Sequence, residues 1–328
     1  MATTPQLILP KAYIADATKR IQKATTRVYV MAMMFVEDDA TDELIQALCN
    51  AAERGVEVNV CGDTFTYTDL QGSYIPTTYR NKRVRDANAV QKKLRSSGAD
   101  FHWLGKLSTV AFSGRTHIKW CVVDDTVYSF GGVNLDHASV EYTDYMFITH
   151  NGPLASRICD EHKRIIAADA ANHTYRSHQF GDDDNMVLID GGFIGDSIIY
   201  RRTCHWAAQA KEVLLVSQYC PTGKLSRLLK KTDARLYFNH WTTAGILNRL
   251  VIRLGMSLSR QVTSYHRRSY LHAKFIVFTM PDGKKVAITG SHNFVYGGVL
   301  IGTREVALET TNKKVIKQLE TFFREHVQ

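Results

Sequence analysis

The strongest constraint on the fold of this 328-residue chain is a motif that occurs twice. The first copy has H-x-K at residues 117–119 and G-G-V-N at residues 131–134. The second copy has H-x-K at residues 272–274 and G-S-H-N at residues 290–293. In each copy, apolar β-rich runs separated by a turn connect the two parts. A chain that carries one such unit twice is expected to fold as two similar halves.

The apolar pattern around the motifs alternates between strands and helices. Residues 28–35 are nearly all apolar and rich in β-formers, which predicts a strand buried on both faces. The next apolar residues recur at helical spacing up to Gly55, and residues 56–60 predict a further strand. The second half repeats this order over residues 213–216, 225–229 and 234–238. The sequence therefore predicts an α/β fold built from a duplicated unit.

The two halves differ in charge. We place their boundary at residues 181–185, a Gly-Asp-Asp-Asp-Asn run that is the most linker-like stretch near the middle. The N-terminal lobe, residues 1–182, carries a net charge of −1, and the C-terminal lobe, residues 183–328, carries +10. This asymmetry predicts an anionic partner, which is phosphate, nucleic acid or an acidic membrane surface. Solubility alone is the simpler explanation of the same charge.

The histidine and lysine of each motif suit phosphoryl chemistry. They are two residues apart, so on a strand both side chains point to one face. The pairs are His117 with Lys119 and His272 with Lys274. An imidazole can attack phosphorus while the neighbouring ammonium holds the phosphate oxygens. A pseudo-two-fold axis would bring both pairs around one phosphodiester.

A carboxylate follows each motif. Asp144 lies ten residues after Asn134, and Glu305 lies twelve residues after Asn293. A carboxylate bonded to one ring nitrogen fixes the tautomer of a histidine and raises its basicity. Asp144 and Glu305 are therefore predicted to orient the two catalytic histidines.

Further motif residues are candidates for binding the phosphate. The backbone N–H groups of Gly132 and Gly290 can approach an anion closely because glycine has no side chain. The side chains of Asn134, Asn293 and Ser291 can donate hydrogen bonds to its oxygens.

No metal or cofactor is expected. The six cysteines are scattered among apolar neighbours, and none are paired at C-x-x-C spacing. Reduced, mostly buried thiols are the simplest interpretation.

These motifs resemble those of the phospholipase D superfamily, and the wider sequence resembles bacterial cardiolipin synthases. The first copy matches the full pattern H-x-K-x4-D-x6-G-G/S-x-N, with Asp124 as its acid, which the resemblance makes a further candidate for the catalytic set. The wider resemblance lies in residues 40–60, 130–134, 143–147, 151–153 and 217–221. The resemblance implies two mixed β-sheets flanked by helices, related by a pseudo-two-fold axis, with one active site between the lobes. It also implies a phosphohistidine on His117 and an acid/base role for His272.

The second copy departs from this pattern. Thr279 stands where the motif acid is expected, and the turn after it is four residues longer. Asp282 is an approximate substitute, but Pro-Asp-Gly at residues 281–283 is equally typical of a hairpin turn.

The expected activity is metal-independent phosphodiester transfer or hydrolysis through a phosphohistidine. The resemblance favours phospholipids as substrates, and thus a phosphatidyltransferase or a phospholipase D. The alternative is a nuclease of the same superfamily that cleaves DNA or RNA. A non-catalytic relative that binds anionic surfaces is a third hypothesis, but the intact His, Lys and Asn sets argue against it. One chain carries both half-sites, so no obligate protein partner is expected.

Two segments are candidates for contact with a membrane. Residues 246–260 place Ile246, Leu247, Leu250, Val251 and Leu254 on one helix face, with Arg249, Arg253 and Arg260 elsewhere. A basic amphipathic helix of this kind can lie among lipid headgroups, although an ordinary core helix has the same pattern. Residues 65–85 mix aromatic and cationic side chains, which suits headgroups, single-stranded nucleic acid or an ordered loop.

The sequence also predicts where the protein resides. The N-terminal residues lack the basic and apolar regions of a secretory signal, and no apolar run is long enough for a spanning helix. We therefore expect a cytoplasmic protein, peripheral on the inner face of the membrane, whose partner is an anionic phospholipid surface.

Overall fold

The structure, a computed structural model, describes residues 3–67, 82–105, 114–244 and 246–328. The first lobe contributes seven strands to one sheet: β1 Gln6–Ile8, β2 Arg27–Ala32, β3 Glu57–Asp63, β4 Asp100–Leu104, β5 Trp120–Val123, β6 Thr126–Ser129 and β7 Met146–His150. Its helices are α1 Pro10–Lys23, α2 Asp42–Glu53, α3 Lys82–Ser96, α4 His137–Glu141 and α5 Gly152–Ala170.

The second lobe contributes a second seven-stranded sheet: β8 His178–Gly181, β9 Asn185–Gly191, β10 Glu212–Val216, β11 Asp233–Tyr237, β12 Phe275–Thr279, β13 Lys285–Gly290 and β14 Arg304–Thr310. Its helices are α6 Ile198–Ala207, α7 Gly223–Leu229, α8 Ile246–Ser259, α9 Tyr296–Ile301 and α10 Lys313–Phe322. A π-helical turn, Phe323–Val327, follows α10.

The two sheets have the same topology. Their strand orders are β1-β7-β6-β5-β2-β3-β4 and β11-β10-β12-β13-β14-β9-β8. When the second order is read backwards, six strands correspond: β1-β7-β6-β5-β2-β3 of the first sheet match β9-β14-β13-β12-β10-β11 of the second. The remaining strands, β4 and β8, are additions at opposite edges. Both sheets contain one corresponding parallel pair, β2 with β3 and β10 with β11, and the added strand β4 makes a second parallel pair with β3. The strands that follow each H-x-K motif pair antiparallel with their neighbours. The predicted α/β fold with a duplicated unit and two mixed sheets is confirmed.

Three apolar layers hold the sheets. The outer face of the first sheet packs on α1 and α2, and the outer face of the second packs on α6 and α7. The inner faces share one core that also takes in α5 and α10. Because the inner strands are apolar on both faces, neither sheet leaves a face for water, and the lobes pack into one body around the shared core.

The run at residues 181–185 is a hairpin turn and not a linker. Gly181 has φ +146°, and the N–H of Asp182 donates to the carbonyl of Asn185 at 3.1 Å, which closes the turn between β8 and β9. Because β8 pairs with β9, the chain passes between the sheets earlier, after α5 and before β8.

The predicted aromatic and cationic segment at residues 65–85 is only partly described. A 3-10 turn covers Thr64–Tyr67, and α3 begins at Lys82. Tyr74, Tyr79 and Arg80 of that prediction lie outside the described residues, so its proposed role stays a prediction.

The first glycine of each G-G/S-x-N motif lets two strands approach closely. A Cβ on Gly131 would lie 1.8 Å from the carbonyl oxygen of Tyr145, and a Cβ on Gly290 would lie 2.2 Å from that of Val306. Tyr145 and Val306 each follow the carboxylate of their own lobe. The glycines therefore set how near each carboxylate comes to the motif.

Gly131→Ala is expected to lower the free energy of unfolding by more than about 2 kcal/mol, because the added methyl group overpacks a backbone contact. The control is Gly297→Ala in α9, where nothing lies within 4 Å of the added Cβ. There the change is expected to stay within about 1 kcal/mol and to favour the helix. Urea unfolding curves measure both, and equal losses would contradict the close-approach role.

Candidate active site

Each H-x-K triplet lies just before a strand, in a segment that pairs with the opposite lobe. Residues 117–119 precede β5, and residues 272–274 precede β12. The N–H of His117 donates to the carbonyl of Arg304 at 2.8 Å. The N–H of His272 donates to the carbonyl of Thr143 at 3.0 Å. The sequence predicts that the triplets lie on strands. In the structure each triplet ends at the residue before its strand begins, in the segment that crosses between the lobes.

These backbone contacts pair each histidine with the carboxylate of the other lobe. His117 Nδ1 lies 3.0 Å from Glu305 Oε2, and His272 Nδ1 lies 2.7 Å from Asp144 Oδ2. An ionised carboxylate only accepts hydrogen bonds, so Nδ1 of each ring carries the proton. The lone pair of each neutral imidazole is therefore at Nε2, which is the atom left for chemistry.

Each carboxylate is held by the second residue of the motif in its own lobe. The N–H of Gly132 donates to Asp144 Oδ1 at 3.2 Å, and a Cβ there would lie 2.5 Å from the same carboxylate. In the second lobe the hydroxyl of Ser291 donates to Glu305 and accepts the N–H of Val306 at 3.0 Å. Gly132 and Ser291 thus orient the acids.

These contacts correct three predictions of phosphate binding. The N–H of Gly132 is used by its own lobe, and the N–H of Gly290 donates to the carbonyl of Lys274 at 3.2 Å. The hydroxyl of Ser291 is used by Glu305. The motif glycines therefore leave space for the backbone, and their N–H groups do not form a phosphate cradle.

Both motif lysines are buried beside the histidines. Lys119 Nζ donates to the carbonyl of His117 at 2.6 Å, and Lys274 Nζ donates to the carbonyl of His272. Burial, together with the charge of Lys274, lowers the pKa of Lys119 to about 7. Burial lowers the pKa of Lys274 to about 8.

The histidines and carboxylates are held in one protonation state near neutral pH. Burial lowers the pKa of His272 to about 3, and the pKa of His117 is also lowered by burial. Burial raises the pKa of Glu305, but the interaction with His117, which includes their hydrogen bond, outweighs it and lowers the pKa to about 2. Burial also raises the pKa of Asp144, and the hydrogen bond with His272 outweighs it, so that this pKa is lowered as well. Neutral imidazoles therefore face ionised carboxylates.

The two motif asparagines are buried but differ in their contacts. Asn134 Oδ1 accepts the N–H of Met34 at 3.3 Å. Asn293 Oδ1 is buried and has no hydrogen-bond partner in the described part of the chain. This oxygen can only accept a hydrogen bond, whereas a phosphate oxygen needs a donor, so the phosphate-binding role of Asn293 rests on its amide N–H groups and stays a prediction.

Asp124 does not belong to this cluster. It lies at the far end of β5 from Lys119, with φ +51°. Its carboxylate accepts the N–H groups of Thr25, Thr26 and Arg27 at 2.9 to 3.1 Å, which fixes the start of β2. The prediction of a catalytic role for Asp124 is therefore corrected to an anchoring role. Asp282, the approximate substitute in the second copy, also lies away from this cluster, in the exposed turn between β12 and β13.

Two features of the site were missed by sequence reasoning. The first is His292, whose buried ring accepts the N–H of Phe294 at Nδ1 and whose pKa is lowered to about 4 by burial. It interacts electrostatically with Glu305 and His117, whereas Val133 holds the same motif position in the first lobe. The second is the crossed pairing of acids and histidines, for which the sequence carried no signal.

The described residues hold no group of three or more His, Cys, Asp or Glu side chains arranged to bind a metal ion. In those same stretches, none of the helices has the length and hydropathy needed to span a bilayer.

Comparison with known proteins places this site in a family. Residues 17–166 and 215–327 match the family described as cardiolipin synthase, PLD-like domain, and each segment contains one H-x-K motif. No curated protein matches the chain by sequence.

Two solved structures share the fold over nearly the whole chain, and a third is similar to half of it. Phosphatidylserine synthase from Haemophilus influenzae Rd KW20 has a TM-score of 0.70 and 13% identity, over 100% of this chain and 88% of that chain. Polyphosphate kinase from Porphyromonas gingivalis has a TM-score of 0.62 and 11% identity, over 97% of this chain and 49% of that chain. Nuc from Salmonella typhimurium, a phospholipase D family member, has a TM-score of 0.38 and 18% identity, over 51% of this chain and 95% of that chain.

Sulfate is expected to bind this site more weakly as the pH rises. Lys119 and Lys274, with pKa values of about 7 and about 8, are charged below those values and lose their charge above them. Affinity should fall by about tenfold or more between about pH 6 and about pH 9.5, a range in which sulfate keeps its charge. Titration calorimetry measures this, with Lys119→Met as the control that removes part of the pH dependence. An affinity that is constant over this range would contradict the assignment.

Proposed function

Because the chain belongs to the cardiolipin synthase PLD-like domain family of the phospholipase D superfamily, we propose that it transfers phosphatidyl groups through a phosphohistidine. The observation that carries the proposal is the pair of imidazoles, each bound at Nδ1 by a carboxylate of the other lobe. Such a pair supplies one nucleophile and one acid/base, which is what a two-step transfer needs.

In the first step Nε2 of His117 attacks phosphorus, and the bond from phosphorus to the leaving oxygen breaks. Protonated His272 gives its proton to that oxygen, so the alcohol leaves neutral. Glu305 stabilises the positive charge that develops on the phosphorylated ring, and Asp144 stabilises the imidazolium of His272 before the transfer. Lys119 and Lys274 neutralise the non-bridging oxygens.

In the second step neutral His272 takes the proton of an incoming hydroxyl, whose oxygen attacks phosphorus. The phosphorus–nitrogen bond breaks, and His117 is restored. A phospholipid alcohol as acceptor gives transfer, whereas water gives hydrolysis. Both outcomes use the same residues and differ in which hydroxyl reaches the intermediate.

Burial holds His272 neutral in the free protein, so its role as an acid depends on the substrate. A phosphodiester carries a negative charge, and a negative charge near an imidazole raises its pKa. The same charge raises the pKa of Lys119 and of Lys274. Substrate binding is therefore coupled to proton uptake by the residues that will use the protons.

A phospholipid substrate is supported by the family, which takes its description from cardiolipin synthase. The direct test incubates the protein with phosphatidylglycerol vesicles, and separately with single-stranded DNA, both in the presence of chelator. Mass spectrometry of the products is expected to find glycerol and a diphosphatidyl lipid. Cleavage of DNA with no change in the lipid would overturn the phospholipid assignment in favour of a nuclease.

A phosphoryl adduct is expected on His117 when the reaction is quenched in acid-free conditions and digested for mass spectrometry. His117→Ala should remove the adduct and lower the rate by at least about 10³-fold, since the nucleophile is lost. His272→Ala is the matched comparison. An adduct on His272 in the wild-type protein would reverse the two roles.

The crossed pairing predicts which double variants are non-additive. Glu305→Gln should lower the rate by about 10²- to 10⁴-fold, because it loses the charge that supports His117. In a chain that already carries His117→Ala, adding Glu305→Gln should lower the rate only slightly further. Asp144→Asn should show this behaviour with His272→Ala. Rate measurements in which Glu305 couples to His272 instead would contradict the pairing.

A further inference from the structure

Helix α8 presents an apolar stripe to solvent. Leu250, Leu254 and Leu258 are 63%, 57% and 74% exposed, and Val251 beside them is 44% exposed. At 100° per residue these four side chains fall within about one third of the helix circumference. Ile252 and Ser259, on the opposite side, are buried.

This arrangement contradicts the interpretation of α8 as an ordinary core helix. A core helix turns its apolar stripe inward, but α8 packs through the narrow face that contains Ile252, Gly255 and Ser259. Gly255 allows close packing, since a Cβ there would lie 3.5 Å from Cys220. The side chains of Ile246 and Leu247, which the sequence assigned to the same stripe, lie outside the described residues.

Cations surround the stripe. Arg249 and Arg253 project from α8, and α7 packs beside it through a hydrogen bond from Gln261 to the carbonyl of Ser226 at 3.3 Å. Helix α7 and the turn after it carry four exposed cations, which are Lys224, Arg227, Lys230 and Lys231. None of these six cations forms an ion pair with a carboxylate among the described residues. Their charge is therefore open to an external anion.

The stripe is connected to the active site. Asn248, in the first turns of α8, donates to the hydroxyl of Tyr270 at 3.2 Å. The ring of Tyr270 lies 4.9 Å from that of Tyr142, which in turn lies 5.7 Å from the ring of His272. One end of the helix thus lies a few side chains from the catalytic histidine.

We propose that α7 and α8 form a docking surface for an anionic lipid bilayer, with the leucine stripe among the acyl chains and the six cations at the headgroup phosphates. An apolar stripe flanked by cations is the pattern that binds at the interface of such a bilayer. A nucleic acid would use the cations but has no place for the exposed leucines. The proposal rests on the proposed function for its substrate, since docking here presents a lipid headgroup beside His272.

The test is flotation of the full chain with vesicles of phosphatidylglycerol and phosphatidylcholine, compared with phosphatidylcholine alone. Binding is expected only with the anionic vesicles and should weaken with added salt. Changing Arg227, Arg249 and Arg253 together to Gln should weaken it roughly 100-fold, at about fivefold for each charge. The control changes Lys19, Lys23 and Lys92, exposed cations of the first lobe, to Gln. If both variants lost the same amount of vesicle binding, the effect would come from the net charge of the protein, and the docking surface would be overturned.

The apolar part is tested separately. Each of Leu250→Ser, Leu254→Ser and Leu258→Ser should weaken vesicle binding by roughly tenfold. Ile194→Ser, which changes a residue that is 60% exposed in the second lobe, is the control and should bind as the wild type does. Leu254→Trp keeps the side chain apolar and should show a blue-shifted emission when vesicles are added. An unshifted emission would overturn insertion of the stripe.

Other occupants and the proposed function have distinct outcomes. Binding to single-stranded DNA but not to vesicles, or a concentration-dependent dimer abolished by Leu254→Ser, would overturn the proposal. His117→Ala should still bind anionic vesicles. Vesicle binding without lipid products would support the docking surface and contradict the transfer reaction. Lipid products without vesicle binding would support the transfer reaction and contradict the docking surface.

Discussion

Two backbone hydrogen bonds between the lobes determine the rest of the site. In each, the N–H of a motif histidine donates to the carbonyl of the residue just before the carboxylate of the other lobe. This register places His117 beside Glu305 and His272 beside Asp144, so each histidine pairs with the carboxylate of the other lobe. Arg304 strengthens one crossing, because its buried guanidinium donates to Asp169 at 2.9 Å and to the carbonyl of Gly114 at 2.7 Å. The shared core of α5 and α10 holds the sheets at the distance that these contacts require.

The electrostatics of the site follow from that burial. Two carboxylates, two imidazoles and two amines lie together out of water, where an unpaired charge is costly. The protein meets this cost by keeping the imidazoles neutral and by lowering the pKa of each lysine toward neutrality. The carboxylates remain charged, and each is bound by a histidine and by its own motif, while the lysines are left close to the pH at which they lose their protons. Under the proposed function, a bound phosphodiester would reverse this balance, since its negative charge favours the protonated form of both amines and of His272.

The repeated motif was sufficient to predict the fold and the histidines and lysines that come together, because each copy is local in sequence. The pairing was not predictable in the same way. Glu305 is 188 residues from His117, whereas Asp144 is 27 residues away, and no local pattern favours the distant acid. The motif glycines act within the fold instead of on a phosphate: the missing side chains let the backbone approach closely, and the N–H of Gly132 binds Asp144. For α8, the same amphipathic pattern fits both a core helix and an interfacial helix, and the packing of Gly255 and Ile252 decides which face is buried.

The departures from symmetry explain how two similar half-sites can have different roles. In the first lobe a glycine and a short aspartate fit together, because the carboxylate occupies the space of the missing side chain at Gly132. In the second lobe the longer Glu305 is held by the hydroxyl of Ser291, and His292 adds a buried ring nearby. Besides its histidine, Glu305 is bound by two hydroxyl groups, those of Ser291 and Thr303, whereas Asp144 is bound by two backbone N–H groups, those of Gly132 and Tyr145. A fold with exact two-fold symmetry would give both histidines the same surroundings. The residues at the second and third motif positions remove this equivalence before any substrate binds, and under the proposed transfer they would favour one histidine as the nucleophile and the other as the acid/base.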